Sequence, residues 1–333
     1  MELWSAVQAG GSRAKEEAEA RRRSLFEDGE LPPGEVKPQE LAVEVDEVLV
    51  ATRAPEEGRR AKLGVKLAVG YEGKEPAGKG RRRLVRRRVH AAVREAEAFF
   101  EETVADFRHI WELSAVRSWT LGSDGAGWAK QGLEYFPRAL FRLDPFHLRR
   151  ALRRGLGHDG EAHAQVAAAM AEGRPWEEVA ALLEAAARRA RGDCRRRVAE
   201  LPGYLRANWA GIVGHPEARR LGAIEGQVYH VVARRMKRRG ARWSGRGADH
   251  LARLLAARTN GELERFLRRE GKRDAPRCAS LLPEQPVRPA TASEMADLEE
   301  WLRVRIPALY GPHAARPWIK HLLRELAHIG SVA

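Results

Sequence analysis

Residues 119–148 read WTLGSDGAGWAKQGLEYFPRALFRLDPFHL, and their pattern predicts a strand, a turn, a short helix, a second strand and the start of another helix. The first apolar run stops at Asp124, and the second stops at Asp144. Side chains at the carboxyl ends of parallel strands point into the crevice where α/β sheets bind ligands. Two carboxylates at such positions indicate a metal site, because proteins hold Mg²⁺ with few carboxylates and with phosphate oxygens of the substrate.

Both aspartates also have a purely structural explanation, since aspartate is a preferred residue immediately before a helix. This explanation is favoured for Asp144, because Pro145 suits the first position of a helix. It is weaker for Asp124, because Gly125 and Gly127 let a ligand or a neighbouring backbone come close. Asp124 is therefore the better candidate for a metal ligand.

The composition points to a nucleic-acid partner. The chain has 333 residues and a formal net charge of +14, and a basic excess of this size favours a polyanion. The two cysteines, Cys194 and Cys278, belong to no CxxC pair, which argues against a disulfide framework or a cysteine zinc finger and fits a reducing cytoplasm. No apolar run in the sequence reaches the length of a membrane span. We therefore expect a cytoplasmic, nucleoid-associated protein with no membrane partner.

The order of the segments predicts an α/β fold with an all-helical insertion. Residues 41–53, 63–73 and 82–92 are rich in β-branched residues and predict an antiparallel meander, and residues 91–112 have the spacing of a helix. Residues 149–220 carry helical patterns and no strand signal. We divide the chain into an exposed N-terminal helix and linker (1–40), the first part of an α/β domain (41–148), a helical insertion (149–220), the last part of the α/β domain (221–269), and a linker with C-terminal helices (270–333).

Two further acids have informative neighbours. Asp46 interrupts the apolar strand VEVDEVLV, so it is a surface residue on an edge strand, the partner of an arginine, or a metal ligand. Glu225 lies near the start of a helix predicted at residues 221–239, where the helix dipole also favours an acid.

Basic residues follow Glu225 closely. The candidates for contact with DNA phosphates and bases are Arg234, Arg235, Lys237, Arg238, Arg239, Arg242 and Trp243. Arginine runs at residues 81–83, 86–88 and 195–197 are further candidates, with solvated helix or strand faces as the alternative.

Six segments together resemble one family. In chain order, between about residues 41 and 260, they are VEVDEVLV, VGYEG, LGSDGAGWAK, FRLDPFH, LGAIEGQVYHVVARRMKRRGARWS and GRGADHLARLL. They look like the bacterial insertion-sequence transposases of the Lre-two group, DDE transposases that are distantly related to Mutator-like transposases and are often filed as an uncharacterised protein family. The resemblance implies an RNase H-like catalytic domain, with a mixed five-stranded sheet, flanking helices and an all-helical insertion.

The resemblance also implies roles for individual residues. Asp46, Asp124 and Glu225 match the catalytic, metal-binding triad, and Asp144 and His147 match the family's Asp/Cys-x-x-His dyad beside it. The implied cofactor is a pair of Mg²⁺ or Mn²⁺ ions, and the implied reaction is cleavage and transfer of DNA strands. The implied partner is double-stranded DNA, as transposon ends and target, bound by a homo-oligomer.

Three alternatives remain beside this interpretation. The family usually has a longer N-terminal region with a DNA-binding module, whereas about forty residues precede the first predicted strand here, so a truncated, inactive DNA-binding remnant is one. Another RNase H-like nuclease is the second. A zinc protein using His147, His158 and His163 is the third, but it lacks cysteine partners at ligand spacing.

Overall fold

A computed structural model describes residues 2–53, 62–78, 80–214, 221–237 and 240–268 of the chain. The strands, in chain order, are β1 (Glu40–Ala51), β2 (Lys62–Tyr71), β3 (Gly73–Pro76), β4 (Arg82–Val85), β5 (Arg88–Ala92), β6 (Ser118–Ser123) and β7 (Leu140–Leu143). The five strands of the main sheet have the order β5-β2-β1-β6-β7, and β3 pairs with β4 in a separate ribbon.

The main sheet is mixed, as the sequence predicts. β1 pairs antiparallel with β2, and β2 pairs antiparallel with β5. β1 and β6 are parallel, and so are β6 and β7. Residues 82–92, predicted as one strand, form two, because Arg86 adopts a left-handed conformation with φ of 48° and turns the chain from the ribbon into the main sheet.

The helices surround this sheet on both faces and extend beyond β7. They are α1 (Glu2–Phe26), α2 (Ala96–Arg108), α3 (Gly127–Lys130), α4 (Pro145–Leu156), α5 (Gly160–Ala171), α6 (Trp176–Arg189), α7 (Gly192–Ala207), α8 (Trp209–Val213), α9 (Ile224–Gln227), α10 (Arg234–Met236), α11 (Gly245–Thr259) and α12 (Leu263–Leu267). Short 3₁₀ turns lie at Leu113–Ala115 and Gln131–Glu134. The helix predicted at residues 91–112 is shorter, because residues 91 and 92 are paired in β5.

β1 lies at the centre of the sheet and separates two apolar cores. Val43 and Val45 face the aromatic side chains of α2, and Val48 and Val50 face α11 and the helical segment that carries Glu225. This alternation follows from the two-residue period of a strand.

Between β7 and residue 214 the described chain is helical throughout. The α4–α8 segment has an apolar core of its own, formed by Leu156, Val166, Leu183, Val198 and Leu205 among others. The helical block therefore buries its own hydrophobic surface beside the sheet.

The N-terminal helix is packed against other helices, so the prediction that it is exposed is wrong. α1 packs against α11, α2 and α12, and Ala14 is buried in a small apolar cluster. At Gly11 an added Cβ would lie 2.2 Å from the Cβ of His250, so the glycine permits this close approach. Within α1, Glu17 and Arg21 are one helical turn apart and form an ion pair.

The helix predicted at residues 221–239 is interrupted by a π-helical turn. α9 leads into the turn at Val228–Ala233, and α10 follows it. We call residues 224–236 the Glu225 helix. The C-terminal helices predicted within residues 270–333 lie outside the described residues. None of the helices in the described part of the chain has both the length and the apolar character that crossing a membrane requires.

Candidate metal site

The sheet brings Asp46 and Asp124 together. Asp46 lies on the central strand and is 7% exposed, so the alternative of an exposed edge-strand residue is wrong. The last paired residues of β1 and β6 are Glu44 and Gly122, and each aspartate lies two residues further along its strand. Parallel register therefore places the two carboxylates side by side, on the face that packs against the Glu225 helix.

A tight turn ends β6 and fixes Asp124. Its Oδ1 accepts a hydrogen bond from the backbone N–H of Ala126 at 2.9 Å, and Gly125 has φ of 86°. Only a residue without a Cβ takes this conformation at low cost, and an added Cβ would also lie 2.2 Å from Oδ1 of Asn208. Tyr204 donates to the backbone carbonyl of Asp124 at 3.1 Å, which attaches the turn to α7.

Asp144 caps α4, as the sequence predicts, and is fully buried. Its Oδ2 accepts from the backbone N–H of His147 at 3.2 Å and lies 2.9 Å from Nδ1 of the same residue. This bond to Asp144 raises the pKa of His147, which burial alone would lower. A carboxylate on Nδ1 orients the imidazole and leaves Nε2 for a metal or a substrate.

Asp46, Asp124 and His147 form the one group of potential metal ligands found among the described residues. One ligand atom from each lies within 4.8 Å of the others. Burial raises the pKa of Asp46 to about 6, and the nearby charges of Asp124 and Glu225 add to this effect, whereas His147 opposes it. A carboxylate that is desolvated and crowded by other acids gains from a bound cation, so the donor set fits a divalent ion such as Mg²⁺ or Mn²⁺.

Glu225 lines the same open cleft without joining that group. The cleft is also lined by Arg150, Tyr229 and Lys237, so basic side chains stand around the acids. Glu225 is half-buried one residue into α9. The structure thus brings all three residues of the predicted triad to one cleft and adds His147, which the sequence placed beside the triad.

Sequence reasoning missed Glu44. This residue lies on β1 two positions before Asp46 and is fully buried. Its carboxylate accepts from the backbone N–H groups of Gly222, Ala223 and Ile224 at 2.9 to 3.2 Å, and from the Tyr71 hydroxyl at 2.5 Å. Glu44 therefore fastens the start of the Glu225 helix to the central strand. The signal was a second acid in VEVDEVLV on the same strand face as Asp46.

The predicted DNA-binding residues have different surroundings. Arg234, Arg235, Lys237 and Arg242 are exposed, whereas Arg238 and Arg239 lie outside the described residues. Trp243 is half-buried, donates from Nε1 to the Met236 carbonyl at 2.8 Å and pairs through its backbone with Thr52. Its indole is thus engaged within the protein.

The predicted arginine runs include both exposed and buried residues. Arg81, Arg82, Arg83 and residues 195–197 are exposed. Arg88, predicted as a phosphate contact, is buried and bonded to Asp106 and Glu262, so that prediction is wrong. The strand period turns Arg88 inward, where only an ion-paired arginine is tolerated.

His158 and His163 do not join His147 in the ligand group of the described residues, which removes support for the zinc alternative.

These features define a mixed α/β protein whose cleft combines acids and an imidazole at the carboxyl ends of two parallel strands with surrounding basic side chains. Residues 33–273 match the uncharacterised protein family UPF0236, and the chain belongs to that family.

Several curated relatives come from Caldanaerobacter subterraneus subsp. tengcongensis. The UPF0236 protein TTE2489 is 27% identical over 144 residues, covering 42% of this chain and 31% of the relative. A second, TTE1650/TTE2708, is 26% identical over 144 residues, covering 42% and 29%. A third, 27% identical with the same shares as the first, carries eleven designations in its name, from TTE0033 to TTE2212. The chain thus spans about a third of the length of these relatives.

Proposed function

We propose that this protein is a DDE-type transposase with an RNase H-like core, which uses divalent metal ions to cleave DNA strands and transfer them to a target. One observation carries the proposal. Asp46, Asp124 and His147 lie within 4.8 Å of one another, and Glu225 lines the same cleft, although the helical block separates Glu225 from the others in sequence. A cleft of acids surrounded by arginine and lysine suits a phosphodiester that meets metal ions.

The order of elements supports the RNase H-like part of the proposal. An antiparallel meander carries Asp46 on its first strand, a parallel strand ends at Asp124, and a helix after a helical block carries Glu225. The resemblance of the sequence to Lre-two transposases implies this same order.

The relatives give independent support. One relative's name joins eleven designations within a single organism, and another joins two. Repeated copies in one genome are the outcome expected of an element that moves itself. Double-stranded DNA is accordingly the proposed substrate, bound by a homo-oligomer in the cytoplasm at the nucleoid.

The residues have distinct proposed roles. Bound divalent ions supply activation of a water or a 3′-hydroxyl and stabilisation of the leaving oxygen. Asp46, Asp124 and Glu225 would hold them, and His147, oriented by Asp144, offers a further ligand. Arg150 and Lys237, which line the cleft, would hold DNA phosphates near the scissile one.

The test is nicking of supercoiled plasmid DNA with Mg²⁺ or Mn²⁺. We expect Asp124→Asn to abolish nicking but to leave salt-sensitive DNA binding intact, because no basic residue is removed. Asp193→Asn, an exposed acid on α7, is the matched control and should nick like the wild type. Absence of nicking by the wild type with either ion would leave the DNA-binding remnant as the better interpretation. Nicking without joining of a supplied 3′-hydroxyl end would indicate a nuclease.

A further inference from the structure

A second groove opens from the candidate metal site and runs between α4 and α7. It has a cavity volume of about 350 Å³ and shares Asp124, His147 and Arg150 with the acidic cleft. Its walls are the face of α4 that includes Ala151, Arg154 and Gly155 and the face of α7 that includes Arg197, Glu200, Leu201 and Tyr204. Residues three, four and seven apart line one face of a helix, so two regular helix faces form the groove.

The two sides of the groove differ in character. Its floor is apolar, because Leu201 is buried and Gly155 brings the helices so close that an added Cβ would lie 2.9 Å from Cδ2 of Leu201. The rim carries the exposed guanidinium groups of Arg150, Arg154 and Arg197. One acid, Glu200, lies 3.3 Å from Arg154. The rim is therefore positive over an apolar floor.

Tyr204 joins the groove to the metal site. Its ring lines the groove, and its hydroxyl donates to the backbone carbonyl of Asp124. Whatever occupies the groove therefore lies beside the turn that holds Asp124.

We infer that the groove binds an unpaired nucleotide of the DNA strand, next to the phosphate that reaches the acidic cleft. The base lies on the apolar floor against Tyr204, and the flanking phosphates pair with Arg154 and Arg197. The inference rests on the proposed function, since the inner end of the groove is where the strand would be cut.

A single strand fits this groove better than a duplex. In a duplex the bases are stacked and paired, so an apolar floor between two helices would meet only sugar and phosphate. An unpaired base offers its face to aromatic and apolar side chains, and arginines track the adjacent phosphates. The groove volume also lies within the range of about 300–1,000 Å³ that is typical of sites for molecules of this size.

The binding test uses fluorescein-labelled oligothymidylate and a blunt duplex of equal length, with Ca²⁺ replacing Mg²⁺ so that binding is measured apart from cleavage. We expect R154A/R197A to weaken oligothymidylate binding about tenfold, since two phosphate contacts are lost. The slope of log affinity against log salt should become shallower by about 1.4, at about 0.7 per contact. The charge-matched control is R153A/R195A, because both arginines are exposed and neither lines the groove.

The variant Ala151→Leu tests the contact with the base separately from the contacts with the phosphates. It fills the floor without changing charge, so oligothymidylate binding should fall about fivefold while duplex binding stays unchanged. Thermal melts check that each variant is folded. Equal binding by R154A/R197A and its control, or wild-type binding by a folded Ala151→Leu, would overturn the inference. If the groove variants behave as expected but the wild type never nicks plasmid DNA in Mg²⁺, the proposed function fails and the groove stands.

Discussion

The fold disfavours the ionised form of Asp46. Asp46 is 7% exposed on the central strand, and its nearest charged neighbours include two further acids. Burial raises its pKa to about 6, and a neutral group at that position would cost less. The backbone N–H of Glu47, which donates to Asp46 at 2.7 Å, and the nearby His147 offset part of this cost, and a bound cation would offset more of it.

Cation binding should therefore depend on pH in mildly acidic solution. Below pH 6 the proton on Asp46 must leave before a cation binds, and His147, whose pKa Asp144 raises, must also lose its proton to act as a ligand. We expect the affinity for Mn²⁺ to rise about tenfold or more between about pH 5 and pH 7, and to level off only once His147 has also lost its proton. Isothermal titration at several pH values measures this rise.

The variant Asp46→Asn should bind Mn²⁺ weakly and with a flatter pH profile, whereas Asp193→Asn should follow the wild type. The raised pKa of Asp46 also affects the stability of the metal-free protein. A raised folded-state pKa contributes stability below about pH 4 that is lost as the pH rises through 6, so Asp46→Asn should be the more stable protein at neutral pH without metal. An affinity for Mn²⁺ that does not change between pH 5 and pH 7 would contradict the assignment of Asp46.

At the scale of elements, Glu44 joins the central strand to the Glu225 helix. Three backbone N–H groups at the start of that helix point at one buried carboxylate, and they are the groups that helical hydrogen bonding leaves without partners. The negative charge also complements the positive end of the helix dipole. The position of Glu225 relative to Asp46 thus depends on Glu44.

Glu44→Gln should destabilise the protein. Glutamine offers one acceptor oxygen, and its NH₂ group would face backbone donors in a buried place, so we expect a loss of about 2–4 kcal/mol in the free energy of unfolding. Urea denaturation measures the loss, and Glu184→Gln, an exposed residue of α6, is the control. A loss equal to that of the control would show that the carboxylate does not hold the helix.

The π-helical turn is a second feature of the same element. It follows α9 at Val228–Ala233 and places Val228, Val231 and Val232 in the core while Tyr229 stays exposed. A π turn shifts the later residues relative to the faces of a regular helix, and such turns are frequent at functional sites. Hydrophobic spacing alone predicted one regular helix here.

On the scale of the whole molecule, a buried ionic cluster connects elements from distant parts of the chain. Glu102 on α2 contacts Arg253 on α11 at 2.8 Å, Arg94 at 2.9 Å and His90 on β5 at 3.4 Å. Burial alone would raise the pKa of Glu102, but the bond to His90 and the charges of Arg253, His90 and Arg94 lower it to about 2. Arg94 also contacts Glu19 of α1.

This cluster should make the protein sensitive to acid. Because the folded-state pKa of Glu102 is depressed, its contribution is fully present above about pH 4.5 and is lost as the pH falls toward 2. The loss is on the order of 3 kcal/mol. Urea denaturation at about pH 7, 4.5 and 3 measures it.

Glu102→Gln should remove part of this pH dependence and lower the stability at pH 7 by about 3 kcal/mol, because the buried Arg253 then loses one of its two carboxylate partners and keeps only Asp249. Glu184→Gln serves again as the exposed control. A Glu102→Gln protein that loses stability in acid as steeply as the wild type would show that other carboxylates carry the effect.

Local features of the fold could be predicted from short stretches of the sequence. The apolar runs that stop at Asp124 and Asp144 specify strand ends, and Pro145 together with His147 three residues later specifies a capped helix start. β-Branched runs specify the strands of the antiparallel meander, and the absence of such runs specifies the helical block. These features follow from short-range sterics and from hydrophobic period, which act over a few residues.

Contacts between residues that are distant in the sequence follow from the tertiary structure alone. The register of β1 with β6 brings Asp46 to Asp124, and Glu44 acquires its role because the Glu225 helix returns to the same strand. Arg88 lies inward because Asp106 and Glu262, which come from distant segments, pair with it. α1 is packed because α2, α11 and α12 lie against it. Charge pairing and close packing between segments depend on the whole chain's path, and no window of sequence contains that path.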